Sequence, residues 1–145
     1  MRGYLNRPEE TAETVVDGWL HTGDVGRLDE DGYLTIVDRI KDMIIRGGEN
    51  IYPKEIETVL TAVDGVLEAA VVGRAHGIYG EVPVAYVSVY PGSDLTEEKL
   101  IHHCRRHLTK VKVPEHVELV DALPKNPVGK IDKPALRRIL NARSV

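Results

Sequence analysis

Two runs rich in β-branched and small residues, Val66 to Gly73 and Val82 to Tyr90, constrain the fold most strongly, because each reads as a strand of ordinary length. The segment between them, Arg74 to Glu81, is polar and reads as a loop. Upstream, Pro53 occupies a first helical position, and Ile56, Val59, Leu60 and Val63 recur at i, i+3, i+4 and i+7. This predicts an amphipathic helix stopped near Asp64-Gly65. Downstream, a second helix is predicted from Thr96, with Glu97 and Glu98 in its first turn, Arg105, Arg106 and His107 near its end, and Leu100, Ile101, Cys104 and Leu108 as its buried stripe. A short strand, Val117 to Val120, and a last helix from about Lys133 to Asn141 complete this half. Nearer the start, Glu30-Asp31-Gly32 joins Gly26-Arg27-Leu28 to Tyr33-Leu34-Thr35-Ile36-Val37 and predicts a β-hairpin. Met43-Ile44-Ile45 then reads as a strand opening into a loop at Arg46-Gly47-Gly48-Glu49-Asn50, where two glycines allow close approach of a ligand or form a plain turn.

Charge is divided along the chain. Residues 1–98 carry 8 Lys and Arg against 19 Asp and Glu, whereas residues 99–145 carry 11 against 4. A basic end on an acidic body suits a phosphate-bearing partner, and equally a solvated basic face. Nucleic acid is disfavoured, because residues 99–145 contain no aromatic side chain on which a base could stack. No apolar run approaches the roughly 18 residues of a membrane span. With a single cysteine, Cys104, no internal disulfide can form, and a reducing cytoplasm fits best.

Several catalytic signatures are missing. Gly129-Lys130 lacks the upstream glycine and the following Ser or Thr of a phosphate-binding loop, and neither G-x-G-x-x-G nor G-x-S-x-G occurs. His103 and His107 stand four apart, but there is no intervening H-E-x-x-H glutamate and no third ligand, so no metal site is expected. What remains is a set of ordered polar fragments. They are Thr22-Gly23-Asp24; Asp38-Arg39-Ile40-Lys41-Asp42; Gly47-Gly48-Glu49-Asn50-Ile51-Tyr52-Pro53 with Glu55-Ile56-Glu57; and Pro124-Lys125 with Gly129-Lys130-Ile131.

In that order and at those separations the fragments resemble the C-terminal motifs of the adenylate-forming superfamily, from Gly3-Tyr4-Leu5 to Leu136-Arg137. The stretch from Arg46 to Glu57 is most similar to acyl- or aryl-CoA ligases. The resemblance implies an α+β fold, a small mobile domain with a short mixed sheet flanked by about three helices, preceded by a β-hairpin tail of a large domain. It implies ATP or AMP, coenzyme A and Mg2+, with the magnesium ligands in the large domain. Asp24 resembles the carboxylate that accepts both ribose hydroxyls, and Arg39 the arginine beside the ribose and α-phosphate. Lys41 occupies the hinge position. Gly47, Gly48 and Glu49 resemble the segment lining the pantetheine tunnel, and Lys112, within Lys110-Val111-Lys112-Val113-Pro114, the base near the coenzyme A phosphates. Here the chain departs from the pattern, with Val111 where an aromatic often stands and Glu115 where a base often follows. Lys130 resembles the lysine that reaches the substrate carboxylate and the α-phosphate while the adenylate forms.

The division expected is residues 1–38 as the tail of the large domain and 39–145 as the small domain, a C-terminal fragment inert alone. The expected partners are its own large N-terminal domain, a carboxylic acid substrate and a protein acetyltransferase acting on Lys130. The alternative from another class is a stand-alone interaction module whose partner is a separate large subunit or a lysine-modifying enzyme.

Overall fold

The computed structural model describes residues 1–142. They form two compact units, and the division between Lys41 and Asp42 falls inside a single 3-10 turn, Ile40–Asp42.

The first unit contains helix α1 (Pro8–Thr14), the two-residue strands β1 (Val15–Val16) and β2 (Trp19–Leu20), and strands β3 (Asp24–Leu28) and β4 (Leu34–Arg39). Asp17 and Gly18, both with positive φ, turn β1 into β2. The predicted hairpin is β3–β4, with Leu28 opposite Leu34, Gly26 opposite Ile36 and Asp24 opposite Arg39. Its loop is held by Asp29, whose Oδ1 accepts the N–H groups of Asp31 and Tyr33 at 3.1 and 2.8 Å. None of the residues of this unit is buried. Leu28, Leu34 and Ile36 share one face of the hairpin and stand in the open, as does Trp19.

In the second unit β5 (Ile44–Arg46), β6 (Glu49–Ile51), β7 (Val66–His76), β8 (Gly80–Val89) and β9 (His116–Leu119) make one sheet in the order β6-β5-β8-β7. Strand β9 adds in parallel to β8, and the other pairings are antiparallel. Helices α2 (Pro53–Thr61) and α3 (Glu97–His107) cover one face, and α4 (Lys133–Ala142) covers the other. Alternation along β7 and β8 divides the core accordingly. Ala69, Val71, Ala85 and Val87 meet Ile56, Leu60, Leu100 and Cys104 on one side, while Ala70, Val72, Val84 and Tyr86 meet Leu136 and Leu140 on the other. Full burial of Ile56 or Leu60 contributes about 1.5–3 kcal/mol each. The mixed sheet and its three helices agree with the expected fold class.

Two expectations are corrected here. Arg74 to Glu81 is mostly strand, since the β7–β8 ladder runs on to His76 opposite Gly80. Its polar residues are satisfied sideways: Arg74 pairs with Glu115 at 3.2 Å, and Glu81 accepts the N–H of Ile45 at 3.0 Å. The remaining turn is closed by His76, whose Nδ1 accepts the N–H groups of Ile78 and Tyr79 at 3.2 and 3.3 Å. Arg46, Glu49 and Asn50, read as loop, are strand: they pair in the β5–β6 hairpin, and Gly47-Gly48 is the plain turn of the two readings, with φ of 58° and 88°, the positive values a two-residue hairpin turn requires.

Charged contacts fix α4. Glu57, on α2, is buried; its Oε1 accepts the Val71 N–H on the outer edge of β7 at 2.9 Å and the Lys133 ammonium at 2.7 Å. Arg137 reaches Asp42 at 2.8 Å. Asp132 caps the helix, its Oδ1 accepting the Ala135 N–H at 2.9 Å.

Candidate functional site

In the first unit the hairpin register sets Asp24 opposite Arg39, and Arg39 Nε lies 3.0 Å from Asp24 Oδ1. Thr22 Oγ1 accepts the Asp24 N–H at 3.2 Å. Gly23, at φ 74°, gives its carbonyl to the Ile40 N–H at 2.9 Å. A hollow of about 370 Å³ is lined by Thr22, Gly23, Arg39, Ile40 and Lys41. The two residues expected at a nucleotide are thus brought together by strand pairing, and Lys41 closes the unit beside them.

In the second unit the Gly47-Gly48 turn is pinned by Gly47 N–H donating to the Tyr79 carbonyl at 2.8 Å. Arg46 extends from the same hairpin. Its guanidinium lies over the Tyr79 ring, 5.4 Å from the centroid, and donates to the Val111 carbonyl at 2.8 Å. Arg46 therefore draws the 3-10 turn Lys110–Lys112 against the glycine turn. Between them is a hollow of about 310 Å³ that Gly47, Glu49, Tyr79 and Lys110 help to line. A second hollow of about 500 Å³, with Arg46, Arg105 and Lys110 around Ile101 and Leu108, adjoins those residues. A Cβ at Gly48 would meet no atom within 4 Å, so the position faces open space.

Lys112 points elsewhere. Its Nζ pairs with both carboxylate oxygens of Glu55, at 2.9 and 2.8 Å, and so ties the 3-10 turn to the first turn of α2. Sequence spacing cannot show this partner, which is 57 residues away. It also misses Tyr79, which falls in the segment read as loop, and the part Arg46 plays in joining the two turns.

Lys130 is exposed and lines neither hollow of the second unit. It ends a loop closed by the Lys125–Ile131 bridge and by the Gly129 N–H donating to the Asn126 carbonyl at 2.9 Å. Gly129 adopts φ 79°. Pro in second place, Asn in first and Gly in fourth is a turn signature that the sequence displays at Asn126-Pro127-Val128-Gly129. Among the described residues the Lys130 ammonium makes no hydrogen bond or ion pair.

On α3, His103 and His107 stack with centroids 4.3 Å apart. Burial, then the neighbouring His107 and Arg106, push the His103 pKa down. Burial pushes the Cys104 thiol up to about 11. Among the described residues no group of three or more His, Cys, Asp or Glu could hold a metal ion, and no helix is long and apolar enough to cross a membrane.

Known proteins are similar to this chain over nearly its whole length. A 7a-methyl-dioxo-octahydroindenyl-propanoyl:CoA ligase of Rhodococcus jostii is 52% identical over 138 residues, which are 94% of this chain and 27% of that protein. Long-chain-fatty-acid–CoA ligase FadD13 of Mycobacterium tuberculosis is 44% identical over 142 residues, 98% of this chain and 28% of its own length. The crystal structure of ATP-bound MatB from Rhodopseudomonas palustris superimposes with a TM-score of 0.88 at 42% identity, over 95% of this chain and 28% of that one. The chain thus spans little more than a quarter of the length of these relatives. With residues 55–130 matching the family's own pattern from the start of α2 to Lys130, the chain belongs to the AMP-binding enzyme C-terminal domain family.

Proposed function

We propose that the chain is the C-terminal portion of an acyl-CoA synthetase. Such an enzyme condenses a carboxylic acid with ATP to an acyl-adenylate and diphosphate, then passes the acyl group to coenzyme A and releases AMP. The observation that carries the reading is Lys130, an exposed ammonium without a partner among the described residues, displayed at the end of a closed loop. There it would neutralise charge developing between carboxylate and α-phosphate as diphosphate leaves. Asp24 would accept the ribose hydroxyls, with Arg39 beside the α-phosphate; the two now neutralise each other at 3.0 Å, so nucleotide would divide an existing ion pair.

For the thioester step the pantetheine arm would pass the Gly47-Gly48 turn and Glu49. The pairing of Lys112 with Glu55 supports a bracing role for Lys112, with Lys110 and Arg105 as the cations facing the hollows where coenzyme A phosphates would lie. Lys41 would be the hinge, residues 1–38 the tail of the large domain and 39–145 the mobile domain. ATP's triphosphate, Mg2+ and the acyl group would be held by that large domain. The residues described here offer magnesium no cluster of ligands. A cytoplasmic setting, a place in fatty acid metabolism, and acetylation of Lys130 by a protein acetyltransferase as an off switch belong to the same reading.

The test separates the half-reactions in the chain joined to its large domain. Lys130→Ala should slow adenylate formation by at least ~10²-fold and leave coenzyme A attack on supplied acyl-adenylate nearly intact. Gly48→Leu should do the reverse, since its bulk enters open space. The left-handed backbone there costs a non-glycine residue about 1–2 kcal/mol, so a thermal melt must show that the variant is folded. If both variants impair both steps equally, the reading fails.

A further inference from the structure

We propose that Asn126 is the positioning residue that sets Lys130 in its working place; the inference rests on the adenylation role given to Lys130 above. Both main-chain polar groups of Lys130 end on Asn126. The Lys130 N–H donates to Asn126 Oδ1 at 2.9 Å, and the Lys130 carbonyl accepts the Asn126 N–H at 2.8 Å. The same Oδ1 also accepts the Val128 N–H at 3.1 Å. Pro127 has no N–H to donate, and Val128 is 75% exposed, so no apolar packing orders the loop.

The feet of the loop are fixed independently. Lys125 pairs with Glu68 of β7, Asp132 N–H donates to the Pro124 carbonyl at 2.8 Å, and Lys133 is held by Glu57 at 2.7 Å. Between these feet two main-chain bonds, Asn126 N–H to the Lys130 carbonyl and Gly129 N–H to the Asn126 carbonyl, are open to any side chain at 126. What Asn126 alone adds is the carboxamide oxygen that holds the Val128 and Lys130 N–H groups and narrows the stem carrying Lys130 to one conformation. A long lysine side chain can act as a preorganised charge only if its Cα is held, because its own rotamers already spread the ammonium. Without Oδ1, the Val128 and Lys130 N–H groups turn to water and the loop samples alternatives at little cost to the fold.

The experiment compares Asn126→Ala, Asn126→Ser and Lys130→Ala in the full ligase, with the two half-reactions measured separately. Asn126→Ala is expected to slow adenylate formation roughly tenfold to a hundredfold, the scale of a misplacement near 1 Å, with coenzyme A attack on supplied adenylate and the melting temperature unchanged. Asn126→Ser offers a hydroxyl to the same turn N–H and should recover most of the rate. Amide exchange read at Val128 and Lys130 should quicken in Asn126→Ala and less so in Asn126→Ser. Adenylation at the unmodified rate in Asn126→Ala, with Lys130→Ala slow, overturns the positioning role and leaves the Lys130 assignment standing. An undiminished rate in Lys130→Ala overturns that assignment and this inference with it. Equal loss of both half-reactions in Asn126→Ala, or no recovery in Asn126→Ser, reduces Asn126 to a general structural residue and overturns the proposal.

Discussion

Removing Glu57 should destabilise the second unit more than removing almost any apolar side chain, and a second substitution should restore much of the loss. The carboxylate and the Lys133 ammonium are 2.7 Å apart, with side chains only 10% and 16% exposed. Truncating one partner of such a pair strands the other charge out of water, at about 3–5 kcal/mol. Glu57→Leu also orphans the Val71 N–H, which is fully buried, adding about 1–3 kcal/mol. Lys133→Met should cost less, near the lower figure, because the carboxylate keeps its bond to Val71. In Glu57→Leu with Lys133→Met no buried charge remains, and only the Val71 N–H is unsatisfied. The double variant should therefore be more stable than Glu57→Leu alone, and the cycle should return a coupling of at least about 2 kcal/mol. Each kcal/mol is about 4–8 °C in melting temperature for a domain of this size, so the recovery is readable by thermal or urea unfolding followed by circular dichroism. A double variant whose loss equals or exceeds the two single losses combined would refute the buried-pair argument.

Trp19, the only tryptophan, is 76% exposed in a unit with no buried residue. Its fluorescence in this chain should be that of hydrated indole, with acrylamide quenching unchanged on unfolding; a red shift on unfolding would contradict this. Cys104 should alkylate at pH 8 at least ~10²-fold more slowly than in urea, since a thiol with its pKa pushed to about 11 is about one part in a thousand thiolate there. Its raised value in the folded state also means that the unfolded thiol ionises first. The stability it lends is therefore complete below pH 9.0 and is lost as the pH climbs from there to about 11. Alkylation at the unfolded rate would sink both statements.

How much of this could be read beforehand depends on whether the signal is local. The α2 and α3 stripes, Pro53 at a helix start and the Thr96 cap, whose Oγ1 accepts the Lys99 N–H at 3.3 Å, are contained within a few turns of chain and are legible. Helix α1 is not, because it buries nothing and so has no apolar period to display. The Asp17-Gly18 turn carries the right residues, but strands of two residues give it no flanking pattern. The ends of β7 and β8 look like loop because their charged residues find partners across the sheet. At the candidate site the motif residues are visible in order, yet which lysine faces the glycine turn is settled by Arg46 and Glu55 across the fold. Asn126 is the opposite case, since its turn signature is local while its hold on Lys130 appears only in the hydrogen bonds.

The Glu57 carboxylate has a second consequence, for association between molecules. Strand β7 is the last in its sheet, and an outward N–H on such an edge is a template for another chain to pair with. Glu57 fills that place at Val71 from within the same molecule. At the opposite border β6 is only three residues long and begins with the charged Glu49, too short a rail for a foreign strand to grip. Strand β9 also borders the sheet, and there Glu97 Oε1 accepts the Val117 N–H at 3.0 Å. At Val71 and Val117 the unit thus caps its own sheet edge, and those two N–H groups are closed to a neighbouring chain.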